Sequence, residues 1–332
     1  MKFTRRGFIK AATVAVAISL GLSACSGENE APTVQGSTRE VTDAMDAVVT
    51  VPENPQRIIA LSEPTTDGLL ALGIKPIGIT AGRGQGGVSA YLSDVGGDIP
   101  IVGNVGNPNF EAIGAAKPDL IVVDGTSVNN NPPVLEALSQ IAPVVFTGYS
   151  GGNWRDNLIF LAEAVNKQKE AVDVIADYDA RAADLKERFE KYNQETFSIV
   201  RWQGNSFATI LKELPAGRAL EDVGLRRPPA QDRKGRGHSE PVSAENIQDI
   251  DADYMFFGTL GGSSVGNPNA GGAADEDAAT DAAKQAESVP GFTSLKAFKN
   301  GKIIPVDGSA WTSTGGPLLM NHILDDLEAT LL

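Results

Sequence analysis

The sequence predicts an α/β chain of two lobes, with parallel-rich sheets joined by one long, rigid interlobe helix. Three observations carry this. From Pro55 onward, short β-branched runs alternate with helix-period segments over short joins, the pattern of a parallel sheet covered on both faces. Between Asn153 and about Tyr192 a proline-free stretch keeps Val165, Val172, Ile175, Ala182, Leu185 and Phe189 at helical spacing, and it exceeds ordinary globular helix lengths. Once an N-terminal leader is set aside, roughly 300 residues are left, more than one hydrophobic core comfortably holds.

The elements follow in chain order. Residues 1–24 open with Lys2, Arg5, Arg6 and Lys10, run through apolar Ala11–Leu22, and end on Leu22-Ser23-Ala24 before Cys25. A charged start, a short apolar run and small residues at the cut describe a secretory signal, and Arg5-Arg6 followed by Phe8-Ile9-Lys10 adds the twin-arginine export pattern. The apolar run is too short to span a bilayer as a helix. Cys25 is the single cysteine, so no intramolecular disulfide is possible. Residues 25–50 read as a flexible tether rich in Ser, Glu, Gly, Thr and Pro. An N-terminal lobe is expected over 51–166, with strands at Arg57–Leu61, Pro76–Thr80, Asp119–Val123 and Val144–Phe146. The interlobe helix covers 167–193 and the C-terminal lobe 194–332. In that lobe Phe197–Trp202, Phe207–Ile210, Tyr254–Phe257 and Lys302–Val306 are strands, and Ser243 caps a helix to Ile250 with Asn246 in the capping-box position. Residues 261–286, mostly Gly, Ala, Asn and Asp, read as a loop insertion with a loose helical segment.

The formal charge of the whole chain is −14, and residues 1–24 carry four basic and no acidic side chains, so the remainder stands near −18. Such a surface repels phosphate backbones, which excludes nucleic acid as a partner.

Four stretches, taken together, resemble the periplasmic-binding-protein family that feeds iron–siderophore, haem and cobalamin ABC transporters. The first runs Pro55-Gln56-Arg57-Ile58-Ile59-Ala60-Leu61 through Asp67, Ala71-Leu72-Gly73 and Pro76-Ile77-Gly78. The most specific is Asn109-Phe110-Glu111-Ala112-Ile113 followed by Lys117-Pro118-Asp119-Leu120-Ile121. Its counterpart is Val242-Ser243-Ala244-Glu245-Asn246-Ile247 with Asp251-Ala252-Asp253-Tyr254, and Asn300–Val306 with Trp311 closes the set. The resemblance covers about Pro55 to Leu332. It implies two Rossmann-like lobes joined by a single helix, a ligand held between them, and a small closing motion. It also gives Glu111 and Glu245 a role, one on each lobe, in docking to arginines of the membrane permease. Each also suits a solvated acid in the first turn of a helix, and both roles can hold at once, with the motif context favouring docking. Leu22-Ser23-Ala24-Cys25 resembles the bacterial lipoprotein box, which implies a diacylglycerol on Cys25.

A cleft for a bulky, oxygen-rich iron chelate calls for arginines to donate to its oxygens and aromatics to cover its apolar faces. Strand ends nominate Arg83, Tyr91, Arg201, Trp202 and Trp311, and the basic run Arg226-Arg227 to Arg233-Lys234 adds Arg236. Trp154 is a weaker candidate that also suits packing within the first lobe. His238 and His322 are the two histidines; the resemblance puts His238 near where haem-binding members place an axial ligand, though no tyrosine or second histidine stands out as its partner, and His322 has no assigned role. Gly82-Arg83-Gly84-Gln85-Gly86-Gly87 matches G-x-G-x-x-G but lacks the following long helix and strand-end acid, so it reads as a cleft loop. No catalytic motif is visible, and no resident cofactor or metal site is expected. The expected function is an extracytoplasmic solute-binding lipoprotein, monomeric and held by lipid on Cys25 at the outer face of the bacterial cell membrane. It would capture a ferric siderophore and deliver it to an ABC permease. The alternatives are a haem-binding lipoprotein of a haem ABC importer and, further off, an exported enzyme.

Overall fold

The computed structural model describes residues 36–125, 131–149, 151–203, 206–260 and 273–332; Cys25, the leader and the start of the expected tether lie outside them. The described chain opens with a hairpin, β1 (Thr38–Thr42) and β2 (Val48–Pro52), paired antiparallel from Thr38↔Pro52 to Thr42↔Val48. This corrects the tether expected to reach residue 50. Period-2 placement buries Val41 and Val51, and the Arg39 guanidinium donates to the Glu163 carbonyl, so the hairpin is stitched to the body. The Asp43 carboxylate shapes its turn, accepting the N–H groups of Met45 at 2.8 Å and Ala47 at 2.9 Å.

The N-terminal lobe then runs β3 (Ile58–Ala60), α1 (Glu63–Ala71), β4 (Gly78–Ala81), β5 (Ile101–Asn104), β6 (Asn107–Pro108), α2 (Phe110–Ala115), β7 (Leu120–Val123), α3 (Pro132–Ser139), β8 (Val144–Phe146) and α4 (Trp154–Ala164). Its six-stranded sheet is ordered β6-β5-β4-β3-β7-β8, parallel except for the antiparallel edge strand β6. Ser62 caps α1 in a capping box with Thr65. Helix α5 (Gln168–Arg188) carries the chain over 21 residues to the second lobe and is followed by a 3₁₀ turn at Glu190–Tyr192.

The C-terminal lobe contains β9 (Phe197–Gln203), β10 (Ser206–Thr209), α6 (Pro215–Asp222), β11 (Glu240–Val242), β12 (Tyr254–Thr259), α7 (Glu276–Ala286), β13 (Ile303–Pro305) and the closing helix α8 (Pro317–Leu331). Its sheet is ordered β11-β10-β9-β12-β13, with β9, β12 and β13 parallel and β10 antiparallel to both neighbours. Two local expectations change. Ala244–Ile250 is 3₁₀ rather than α, kinked at Asn246, and Ser243 makes no side-chain cap. Within the expected insertion, α7 is a regular helix capped by Asp275, and its Ala282 and Ala286 pack into the lobe's outer core; alanines let it sit close to the sheet.

Alternation along the strands sorts the core. Ile59, Leu61, Ile121 and Val123 face one apolar cluster, while Val200, Trp202, Met255 and Phe257 face a second on the far side of the other sheet. The opposite faces of both sheets share a third cluster. It runs from Ile58, Ala60, Leu120 and Val122 through α4, α5 and α8 to Phe197, Ile199 and Phe256. Helix α8 therefore packs against α1, α5 and α6 at once. Arg181 on α5 pairs with Asp325 at 2.5 Å, and Arg188 pairs with Glu328 at 2.6 Å.

Candidate functional site

The parallel strands of the two sheets direct their C-terminal ends toward the junction of the lobes, and the loops that follow meet there. Arg201, near the end of β9, is partly buried; its guanidinium donates to the Ser239 hydroxyl and, at 3.5 Å, to the Thr312 carbonyl. Its Nε is buried with no hydrogen-bond partner. From the other lobe, Arg83 in the loop after β4 stands close enough to act on it electrostatically. Burial, and then this like charge, push the Arg201 guanidinium down to about 10. Among the described residues no carboxylate forms an ion pair with either arginine. Glu63, buried at the start of α1, accepts the backbone N–H of Arg83 at 2.8 Å, the Ser313 hydroxyl at 3.2 Å and the Thr314 hydroxyl at 3.5 Å. Arg201 is thus held at the junction without an ion-pair partner and with a second cation near enough to act on it, an arrangement that a bound anion would compensate.

One turn along α1, Asp67 locks the lobes together. Its carboxylate accepts the N–H groups of Leu318 and Leu319, both at 2.9 Å, and the Tyr91 hydroxyl at 3.1 Å. These are the orphan donors of the first turn of α8, so an acid on one lobe caps the helix that ends the other. Gly316 allows the approach, since a Cβ there would stand 2.7 Å from the carboxylate oxygen. Burial pushes Asp67 up to about 6, against the opposing pull of those donors. The same burial, with Asp67 and Glu63 alongside, holds the Tyr91 hydroxyl well above its ordinary range. Sequence reading missed Glu63 as a site residue and quoted Asp67 only as part of a motif. The signal was there: two acids at i and i+4 on a helix that is otherwise buried.

The aromatic nominations are corrected. Tyr91 is committed to Asp67. Trp202 neighbours Arg201 on the same strand, so it points to the opposite face, 4% exposed, with its ring 4.7 Å from Phe207 in the outer core. Trp311 is fully buried, stacked 4.2 Å from Phe256, and its indole N–H donates to Asp326 at 2.7 Å. Trp154 is also buried, edge-on to Tyr178. Trp202 and Trp311 hold the fold away from the junction, whereas Trp154 also edges a cavity between α1 and the start of α8, lined with it by Pro64, Gly68, Gly315 and Pro317, and its indole N–H is buried without a partner. Trp311→Phe keeps the stacked ring and loses the indole hydrogen bond, so a urea midpoint series should show a loss of about 1–2 kcal/mol with ligand affinity unchanged.

The basic run divides. Arg227 is buried within its lobe, donating to the Ile210 carbonyl at 2.6 Å and to Gln231 at 2.5 Å, and burial pushes it down to about 9. Arg233 pairs with Glu240. Arg236 is exposed beside Gly237, whose Cα lies 2.4 Å from where a Cβ on Gly151 would stand; the loop after β8 and the basic loop touch here, glycine on glycine. His238 is exposed, with Nδ1 2.9 Å from the Ser239 carbonyl. Among the described residues no group of His, Cys, Asp or Glu is arranged to hold a metal ion.

Glu111 and Glu245 occupy equivalent places. Each is exposed in the first turn of the short helix that follows an edge strand antiparallel to its neighbour, β6 in one sheet and β11 in the other. Asn109 caps the first of these helices, accepting the Ala112 N–H at 3.0 Å.

Comparison with known proteins fits this architecture. The chain is 35% identical over 322 residues to a probable siderophore-binding lipoprotein of Bacillus subtilis, YfiY, covering 94% of each. It is 27% identical to the ferric-anguibactin-binding protein FatB of Vibrio anguillarum over 83% of each chain. The crystal structure of Staphylococcus aureus SirA complexed with staphyloferrin B aligns with a TM-score of 0.73 and 26% identity, over 89% of this chain and 98% of that one. Residues 58–310 match the model of the periplasmic binding protein family, and with both lobes, the joining helix and the paired edge-strand motifs in place, this chain belongs to that family.

Proposed function

We propose that the protein is the extracytoplasmic receptor of an ABC iron importer, capturing a ferric siderophore between its lobes and handing it to the permease. The observation that carries this is Arg201, partly buried at the lobe junction of a periplasmic-binding-protein fold with its Nε unpartnered and Arg83 of the other lobe near enough to act on it. The named ligands of its relatives, ferric anguibactin for FatB and staphyloferrin B for SirA, are siderophores or their ferric complexes. Iron would stay within its chelate, and the protein's work is selective binding followed by docking. The chelate's oxygens would replace water around the guanidinium groups, and their negative charge would repay the cost of burying Arg201. Glu111 and Glu245 would supply the docking contact, two charges held apart at fixed positions so that both place and orientation are set. The diacylglycerol on Cys25 would keep the receptor at the membrane face, where the permease lies.

Quenching of intrinsic tryptophan fluorescence by a panel of ferric siderophores tests the binding reading directly. Saturable quenching at or below about micromolar by at least one member is expected, and its absence for all would refute it. The docking reading makes a separate prediction. Glu111→Ala with Glu245→Ala should cut iron uptake by cells about tenfold, equivalent to losing about 1.4 kcal/mol at the permease, with the dissociation constant for the chelate unchanged. A weakened chelate affinity in that double variant would place the glutamates in the ligand site instead.

A further inference from the structure

Resting on the binding reading above, the ligand class follows from which chemistry the junction offers and which it lacks. The chain has three tryptophans and five tyrosines. All three tryptophans are core residues. Tyr178 is buried on Asp222, Tyr91 is held by Asp67, Tyr192 donates to the Leu331 carbonyl, and Tyr254 stacks on Phe197. Tyr149, after β8, is the one tyrosine that is an exposed large hydrophobic, at 43%, and its ring is already against Phe146. Residues 126–130, 150, 204–205 and 261–272, whose positions are not described, contain no Trp, Tyr or Phe at all. Catecholate rings present flat aromatic faces that aromatic side chains cover by stacking, and among the described residues the exposed rings are Tyr149 and Phe110, the latter beside the edge strand β6.

Positive charge, by contrast, is in surplus. Arg201 is partly buried with an empty donor direction at its Nε, Arg83 of the other lobe is near enough to act on it electrostatically, and exposed Arg236 stands one residue from the glycine contact between the lobes. Hydroxyls of Ser313 and Thr314 are turned inward to Glu63 rather than held free. A site of this kind recognises carboxylate oxygens, which take parallel N–H donors from a guanidinium, and it penalises a cationic ligand. We propose that the protein selects an anionic, aliphatic ferric chelate bearing carboxylate or α-hydroxycarboxylate groups, and discriminates against catecholate and cationic hydroxamate chelates.

Isothermal titration of the full-length protein separates charge from ring. The probes are the ferric complexes of citrate, staphyloferrin B and a citrate-centred dihydroxamate, set against ferric enterobactin, which is anionic and aromatic, and ferrioxamine B, which is cationic and aliphatic. At least one carboxylate chelate is expected to bind about a hundredfold more tightly than either of the last two, and Tyr149→Ala to change that affinity less than about twofold. Ferric enterobactin or ferrioxamine B binding as tightly as the best carboxylate chelate would overturn the proposal, as would a tenfold loss in Tyr149→Ala. No binding by any of the five would sink the siderophore-receptor reading itself, a different result from either.

Discussion

Arg201→Met is expected to weaken binding of the preferred ferric chelate by about a thousandfold, equivalent to about 4 kcal/mol, and at the same time to make the empty protein more stable. The two effects have one cause. In the empty receptor the guanidinium is desolvated beside Arg83 with no carboxylate to balance it, and its pKa falls from 12.5 to about 10. A base whose folded pKa is lowered is charged at an energetic cost at every pH below that value, so the penalty is constant across the neutral range. The shift sets it at about 3 kcal/mol. Methionine has similar reach and no charge, and such replacements of buried charge often stabilise. Lost hydrogen bonds to Ser239 and Thr312 offset part of the gain, leaving about 1–2 kcal/mol. Calorimetric titration and thermal melting on one preparation read both quantities. A variant with lower affinity and a lower melting temperature would mean that Arg201 is structural, and that the bound anion is not what it awaits.

Asp67→Ala should cost about 4 kcal/mol of stability, because two buried N–H groups at the start of α8 and the Tyr91 hydroxyl lose their acceptor together. The pH dependence carries an opposite and separable signature. Burial raises Asp67 from 3.8 to about 6, so between those values the folded protein holds the proton more tightly than the unfolded chain does. Its contribution is therefore fully present below about pH 4 and is lost as pH rises through about 6, amounting to about 3 kcal/mol. Asp67→Asn does not titrate. The difference in urea stability between wild type and Asp67→Asn should thus shift in favour of the variant as pH rises from 4 to 7. A flat difference would show that the carboxylate is ionised throughout.

Much of the architecture was legible from residues alone. The parallel strands announced themselves through β-branched runs such as Ile58-Ile59 and Leu120–Val123, and α5 through its apolar spacing. The errors have physical reasons. Residues 38–50 read as tether because their apolar residues are sparse; a hairpin with one buried edge needs only Val41 and Val51 inside. Arg201 and Trp202 were nominated together although neighbours on a strand face opposite ways, so at most one of them could reach the junction. Trp311 follows β13 but sits in the short helical turn Gly308–Trp311, which returns its indole to Phe256. Glu63 and Asp67 escaped because their partners lie some 250 positions away, a pairing that no local pattern encodes.

The apolar cluster shared by both sheets has a consequence for how such a receptor is made. The described residues hold together as one body, and α8 supplies apolar surface to both halves. Neither half buries its inner face without α8, so the shared core closes only once that helix is in place. A chain without α8 would leave the inner faces of both sheets bare at once, so loss of that single helix would undo both lobes rather than one.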